Sequence, residues 1–230
     1  MNIDEQEVEK FDSVAHHWWD PDGPFKPLHM LNPVRLNFIK KKLELKNKKI
    51  IDVGCGGGLL SEELCKNGAK VTGLDSSTKS IEIANAHKEI SKLHIEYHNM
   101  SIEEFIKQEE KNYDALCCLE LIEHVSNPEN LLKNCSNLVK ENGDIFISTI
   151  NRNILSFVFA ILGAEYILNL LPKGTHQYKN FLKPSELNSI LKKNSLEIFD
   201  IKGIKYNPFS KSFSESKNVD INYILHCKKI

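Results

Sequence analysis

Glu120-Leu121-Ile122-Glu123-His124 places two carboxylates and an imidazole within five residues. Histidine titrates close to neutrality and is the commonest general base. Glu120 and His124 are therefore candidates for moving a proton during a reaction. Two carboxylates and an imidazole also suit a divalent cation, which makes Glu120, Glu123 and His124 a candidate metal set. On a helical turn, Glu120 would share one face with Glu123 and with His124. Oxygen-rich Mg²⁺ sites rarely use histidine, so His124 acting as a base without metal is the rival reading. His176, further along the chain, is a second base candidate.

A second constellation is built to receive a ligand. Asp52-Val53-Gly54-Cys55-Gly56-Gly57-Gly58 follows the pattern acid-x-Gly-x-Gly-x-Gly. Glycine lets the backbone turn sharply and lets a ligand approach the main chain. The dinucleotide fingerprint, Gly-x-Gly-x-x-Gly, fails here on spacing. It needs a further glycine at position 59 or 61, and the chain has Leu59 and Ser61. Asp75 lies 17 residues after Gly58. A carboxylate at the end of a second strand can accept both hydroxyls of a ribose. Its alternative role is a helix N-cap, because Ser76-Ser77-Thr78 follow. Arg35 sits among apolar helix residues and can meet a carboxylate ligand, or else is a solvated helix residue.

The elements that position these groups are legible from periodicity. Glu5–Trp19 repeats its apolar residues at helical steps, and Asp20–Pro24 stops it. Phe25–Pro33 reads as an extended connector, because each proline biases its predecessor away from the helix. A helix over 33–45 follows. Then come strand one (Lys49–Val53), a helix over 59–67 ended by Gly68, strand two (69–74), a helix over 78–91 and strand three (93–98). Strand four covers Tyr113–Leu119, a helix covers 130–140, and strand five runs from Asp144 to Thr149. Two closing strands are expected at 196–201 and 219–226. This alternation predicts an α/β fold with a doubly wound, mostly parallel, Rossmann-like sheet. Ligands in such sheets bind beyond the carboxyl ends of the strands. Asp52, Asp75, Asn99 and Glu120 all fall at such ends. Met100 follows Asn99 at the end of strand three.

The 230 residues fit one domain. Residues 1–46 form an N-terminal helical cap and 154–182 an insertion after strand five. A net charge of −1 offers no basic field for nucleic acid. The six cysteines form no C-x-x-C pair, which points to reduced thiols in a reducing compartment. The polar, acidic start of the chain has no signal-peptide pattern. Ile154–Leu171 is strongly apolar, but Glu165 and Asn169 interrupt it, so a membrane span is not expected. It reads as a helical lid over the site, a surface for lipid or an apolar substrate, or both.

The glycine pattern, the later acid Asp75 and Tyr113-Asp114-x5-Glu120-x2-Glu123-His124-Val125 resemble class I S-adenosylmethionine (AdoMet) methyltransferases. Further stretches are more specific. They include Trp18-Trp19-Asp20, Phe25-Lys26-Pro27-Leu28-His29, Leu31-Asn32-Pro33-Val34-Arg35-Leu36, Ser148-Thr149-Ile150-Asn151-Arg152-Asn153, Pro172-Lys173-Gly174-Thr175-His176 and Tyr206-Asn207-Pro208. Together they resemble the bacterial ubiquinone-biosynthesis O-methyltransferases over nearly the whole chain. The resemblance implies O-methylation of polyprenylated phenol and catechol intermediates, with AdoMet as cofactor and Mg²⁺ as an accompanying metal. It implies AdoMet contacts at Arg35, Gly54, Asp75 and Leu119, where the family often has methionine at the last position. Asp52, Gly56 and Asn99 complete the expected cofactor set, and the resemblance implies that Asn99 or Met100, at the end of strand three, lies near the adenine ring. The resemblance also implies a cytoplasmic protein held at the inner-membrane surface through 154–182, and a place in a ubiquinone-synthesis complex. The general motifs alone leave another small-molecule substrate open.

Overall fold

Ile50 and Ile51 point to opposite faces of a strand, and both are buried. A strand that is apolar on both faces must lie inside a sheet covered on both sides. The computed structural model describes residues 5–108, 112–156 and 178–230. In it, strand β1 (Lys49–Val53) pairs in parallel with β2 (Lys70–Asp75) and β4 (Tyr113–Leu119). Strand β3 (Ile95–Asn99) continues the parallel sheet beyond β2, and β5 (Val139–Ile150) continues it beyond β4. The antiparallel part consists of β6 (Leu196–Asn207), β7 (Ser212–Ser216) and β8 (Asn222–Lys229). The order across the sheet is β3-β2-β1-β4-β5-β8-β6-β7.

The period-two alternation of strands sorts the core into two layers. Ile51, Leu116, Cys118, Ile145 and Ile147 join one apolar cluster, with Leu132 and Leu187 packed on them. Ile50, Ala115, Cys117 and Phe146 join the other, with Phe38, Ile39 and Leu64. The first layer is therefore roofed by helices α5 (Ile102–Gln108), α6 (Pro128–Leu138) and α8 (Pro184–Lys193). The second is roofed by α2 (Lys26–Lys40) and α3 (Leu59–Lys66). Helices α1 (Glu5–Val14) and α4 (Thr78–Ser91) and the single turn α7 (Ile154–Ser156) complete the α-helices among the described residues. All six cysteines are free thiols, and adjacent Cys117 and Cys118 lie in different layers.

The sheet and its helices match the expected α/β architecture, with three local differences. The stretch expected as an extended connector is the first half of α2. Pro27 stands in its first turn, where a missing N–H leaves no bond unmade. Pro33 lies inside the helix, at a cost of up to ~3 kcal/mol. Burial of Leu31, Phe38 and Ile39 on the same helix outweighs that cost. The first helix ends at Val14 and passes into a 3-10 turn over Ala15–His17. The third difference is β7, a serine-rich edge strand held to β6 by main-chain pairing, which carries no apolar alternation to announce it.

No helix among the described residues is long and apolar enough to cross a membrane. The apolar run beyond Ser156 and the candidate base His176 lie outside the described residues.

Candidate active site

β1 delivers Asp52 and then the glycine turn to the carboxyl edge of the sheet. Gly54, Gly56 and Gly58 take φ values of +75°, +52° and +89°, the left-handed region that glycine alone enters at no steric cost. The Gly54 and Cys55 amides both donate to the Leu74 carbonyl, which ties the turn to the end of β2. Asp75 then receives the turn through its side chain. Its Oδ2 accepts from the Gly56 amide at 2.8 Å and its Oδ1 from the Ser77 amide at 2.8 Å. Ser77, not Asp75, is the N-cap of α4, because its side chain accepts from the Ser80 amide. Each carboxylate oxygen of Asp75 keeps a lone pair for a ligand hydroxyl. Desolvation pushes the Asp75 carboxyl up, the Ser77 and Gly56 amides pull it back, and the Asp12 charge raises it again.

The cavity above this edge is lined by Arg35, Asp52, Gly54, Gly56, Asp75, Met100, Ser101, Leu119, Glu120 and His124, among others. Nine of the residues expected from the sequence thus meet in one place, Arg35, Asp52, Gly54, Gly56, Asp75, Met100, Leu119, Glu120 and His124. Asn99 and Glu123 do not line it. Asn99 is exposed and spends both ends of its amide on the fold. Its Nδ2 donates to the Asp75 carbonyl at 3.1 Å, and its Oδ1 accepts from Thr78 Oγ1 at 2.8 Å.

Asp52 is buried beneath the turn, and Ser61 Oγ donates to its Oδ2 at 2.6 Å. Burial pushes its carboxyl up to about 6, against the opposing pull of Ser61 and Arg35. Arg35 comes from α2 and is only 6% exposed. Its Nη2 lies 3.3 Å from Glu120 Oε1. Yet its Nε and Nη2 find no hydrogen-bond acceptor among the described residues. Buried donors left open are costly, on the order of 1–3 kcal/mol each. They fit a ligand carboxylate, which would fill them.

Glu120, Glu123 and His124 do not come together as a metal set. No group of three acidic, histidine or cysteine side chains among the described residues is arranged to hold a metal ion. Glu120 stands before the turn rather than on it, with φ of +52°, and only Ile122–His124 form a 3-10 helix. Glu123 is 3% exposed, and its Oε2 accepts from Thr149 Oγ1 at 2.9 Å. Burial pushes the Glu123 carboxyl up, and the Glu120 charge pushes it the same way. The shared helical face expected from spacing is broken by the left-handed residue at Glu120.

Three contributors had no clear local signal. Ser148 on β5 and Asn222 on β8 both bond to the Glu120 carboxylate. Asn222 lies 102 residues from Glu120, so only the sheet pairing of β5 with β8 brings it there. Trp18 is the third. Its ring lies so close on the glycine turn that a Cβ at Gly56 or Gly57 would fall 2.1 or 2.3 Å from it. Beside it, Trp19 Nε1 donates to the Gly57 carbonyl at 3.0 Å, and its ring stacks on His87. The pair Trp18-Trp19 was visible in the sequence, but no pattern tied it to the turn.

A family model described as a methyltransferase domain matches residues 28–200. The chain is 45% identical to the ubiquinone biosynthesis O-methyltransferase of Marinobacter nauticus, over 99% of this chain and 97% of that protein. It is 48% identical to the protein of the same name from Coxiella burnetii strain RSA 331, over 97% and 95% of the two chains. Among solved structures, magnesium protoporphyrin IX methyltransferase from Synechocystis PCC 6803 with bound SAH superposes with a TM-score of 0.72. That pair shares 18% identity over 99% of this chain and 100% of the other, a likeness of fold.

Proposed function

The chain belongs to the ubiquinone biosynthesis O-methyltransferases, and from that membership we propose that it moves the methyl group of AdoMet onto a phenolic hydroxyl of polyprenylated phenol and catechol intermediates of ubiquinone synthesis. The observation that carries this reading is the pairing, in one cavity, of a glycine turn locked to Asp75 with a buried guanidinium whose donors stand open. Bound AdoMet supplies an activated methyl group on a positively charged sulfur. The residues of the chain do the rest. Asp75 Oδ1 and Oδ2 accept the ribose hydroxyls, Gly54 and Gly56 let the ligand reach the main chain, and Leu119 gives it an apolar wall. Arg35 takes the carboxylate of the amino-acid end.

A phenol is a weak nucleophile at neutral pH, since its proton leaves only near pH ~10. His124 lines the cavity beside Glu120, and its ring nitrogen takes that proton. The donor set gives no support to a route through Mg²⁺. A transfer assay with labelled AdoMet and a short-chain prenylated catechol tests both assignments. Wild type transfers label. For His124→Gln, kcat falls roughly 10²-fold or more, with the KM for AdoMet nearly unchanged. An unchanged kcat removes His124 as the base.

We further propose that the insertion at 154–182 meets the lipid surface where the prenyl tail resides, so that the protein works at the inner-membrane face within a ubiquinone-synthesis assembly. Support comes from its apolar sequence and from Ile154 and Leu155 at its start, which are 78% and 49% exposed. Co-sedimentation with anionic liposomes is the expected result. Protein left wholly in the supernatant, with or without substrate, would overturn the membrane reading.

A further inference from the structure

The Arg35–Glu120 pair is fastened from one side only. Glu120 is held by two strands at once, β5 and β8. Its amide donates to the Ser148 carbonyl at 3.1 Å and to Ser148 Oγ at 3.2 Å. Ser148 Oγ in turn donates to Glu120 Oε1 at 2.5 Å. Asn222 Nδ2 donates to Oε2 at 3.3 Å from the next strand. The backbone at Glu120 is left-handed, a conformation that a non-glycine residue keeps only when its surroundings enforce it. Arg35 is anchored differently. Its guanidinium approaches Oε1 by charge, without a well-formed hydrogen bond, and its Nε and Nη2 find no acceptor among the described residues. A carboxylate ringed by Ser148, Asn222 and Arg35 has few free lone pairs for taking a proton. It does have the geometry to hold a cation still.

We propose that Glu120 is a positioning residue for the cofactor's amino-acid end: anchored by Ser148 and Asn222, its carboxylate fixes the Arg35 guanidinium so that the open donors meet the ligand's α-carboxylate. This inference rests on the AdoMet reading above. It assigns to β5 and β8, on the far side of β4 from the glycine turn, a part in cofactor recognition. A fork of donors held in register loses less freedom on binding than one that must first be ordered.

Two variants test it. Glu120→Asp keeps the charge but withdraws it by one methylene. Ser148→Ala leaves Glu120 intact and removes its shortest anchor. Calorimetry measures two ligands on each protein: S-adenosylhomocysteine, which has the amino-acid end, and 5′-methylthioadenosine, which lacks it. Both variants are expected to bind S-adenosylhomocysteine roughly tenfold more weakly and methylthioadenosine as wild type does. Equal weakening for the two ligands means a general collapse of the cavity and overturns the proposal. So does unchanged binding of both. A fall in kcat at saturating AdoMet with unchanged affinities would place Glu120 in the chemistry and overturn it as well. Wild-type protein that binds neither ligand defeats the cofactor reading itself, and this inference with it.

Discussion

Asp52 carries a burial cost that depends on pH. Its carboxyl is raised from the ordinary 3.8 to about 6, chiefly by desolvation. The folded protein therefore holds this proton more tightly than the unfolded chain does. Between pH ~4 and ~6 the native state has more protons bound, so the Asp52 contribution to stability falls as pH rises and is fully unfavourable above 6. Asp52→Asn keeps the shape and removes the cost. The variant should be more stable than wild type at pH 7, by on the order of 1–3 kcal/mol, with the advantage shrinking towards pH 4. Melting curves across that range check it. A difference that does not change with pH contradicts the account of Asp52. At this scale the sequence was most informative where a residue's partners are local. The place of Asp75 at the cavity could be read because it follows from the strand it ends. The status of Glu120 and Glu123 could not, because it depends on a left-handed residue and on partners in β5 and β8.

At the scale of elements, the glycine turn and the Trp18-Trp19 segment form one device. Trp18 packs on Phe25 with ring centroids 4.0 Å apart, and its carbonyl accepts from His29 Nε2 at 2.8 Å. The start of α2 therefore holds the indole down on Gly56 and Gly57. Gly57 has no left-handed φ to preserve, so its smallness serves this contact alone. Gly57→Ala is expected to cost about 1–3 kcal/mol and to shift tryptophan fluorescence, as the indole is pushed off the turn. The chain has two tryptophans, both in this segment, so the signal reports directly on it. Unshifted emission at full stability would show that Trp18 does not need the space. The helix that sets this contact is legible in the sequence only in its second half. Pro27 and Pro33 disguised the first half of α2 as a connector, and only its buried side tells otherwise.

At the scale of the whole molecule, the parallel half of the sheet was legible, because buried strands read as short apolar runs separated by helical periods. The antiparallel half was less so. β6 and β8 were visible, but the edge strand β7 was not, and neither was the reach of β8 into the site through Asn222. The architecture thus divides the labour. β1 and β2 build the turn and set Asp75 beside it, and β4 brings Leu119, Glu120 and His124 to the same edge. β5 and β8 brace what β4 presents. Nothing in that division requires the acceptor atom of the substrate to be oxygen rather than a ring carbon. Family membership makes that choice. Structural analysis of the product from a reaction of wild-type protein, AdoMet and a short-chain prenylated catechol decides it. The account predicts a ring methoxy group, with the methyl carbon derived from AdoMet. A methyl group on a ring carbon, or no methylated product from protein that binds AdoMet, would contradict it.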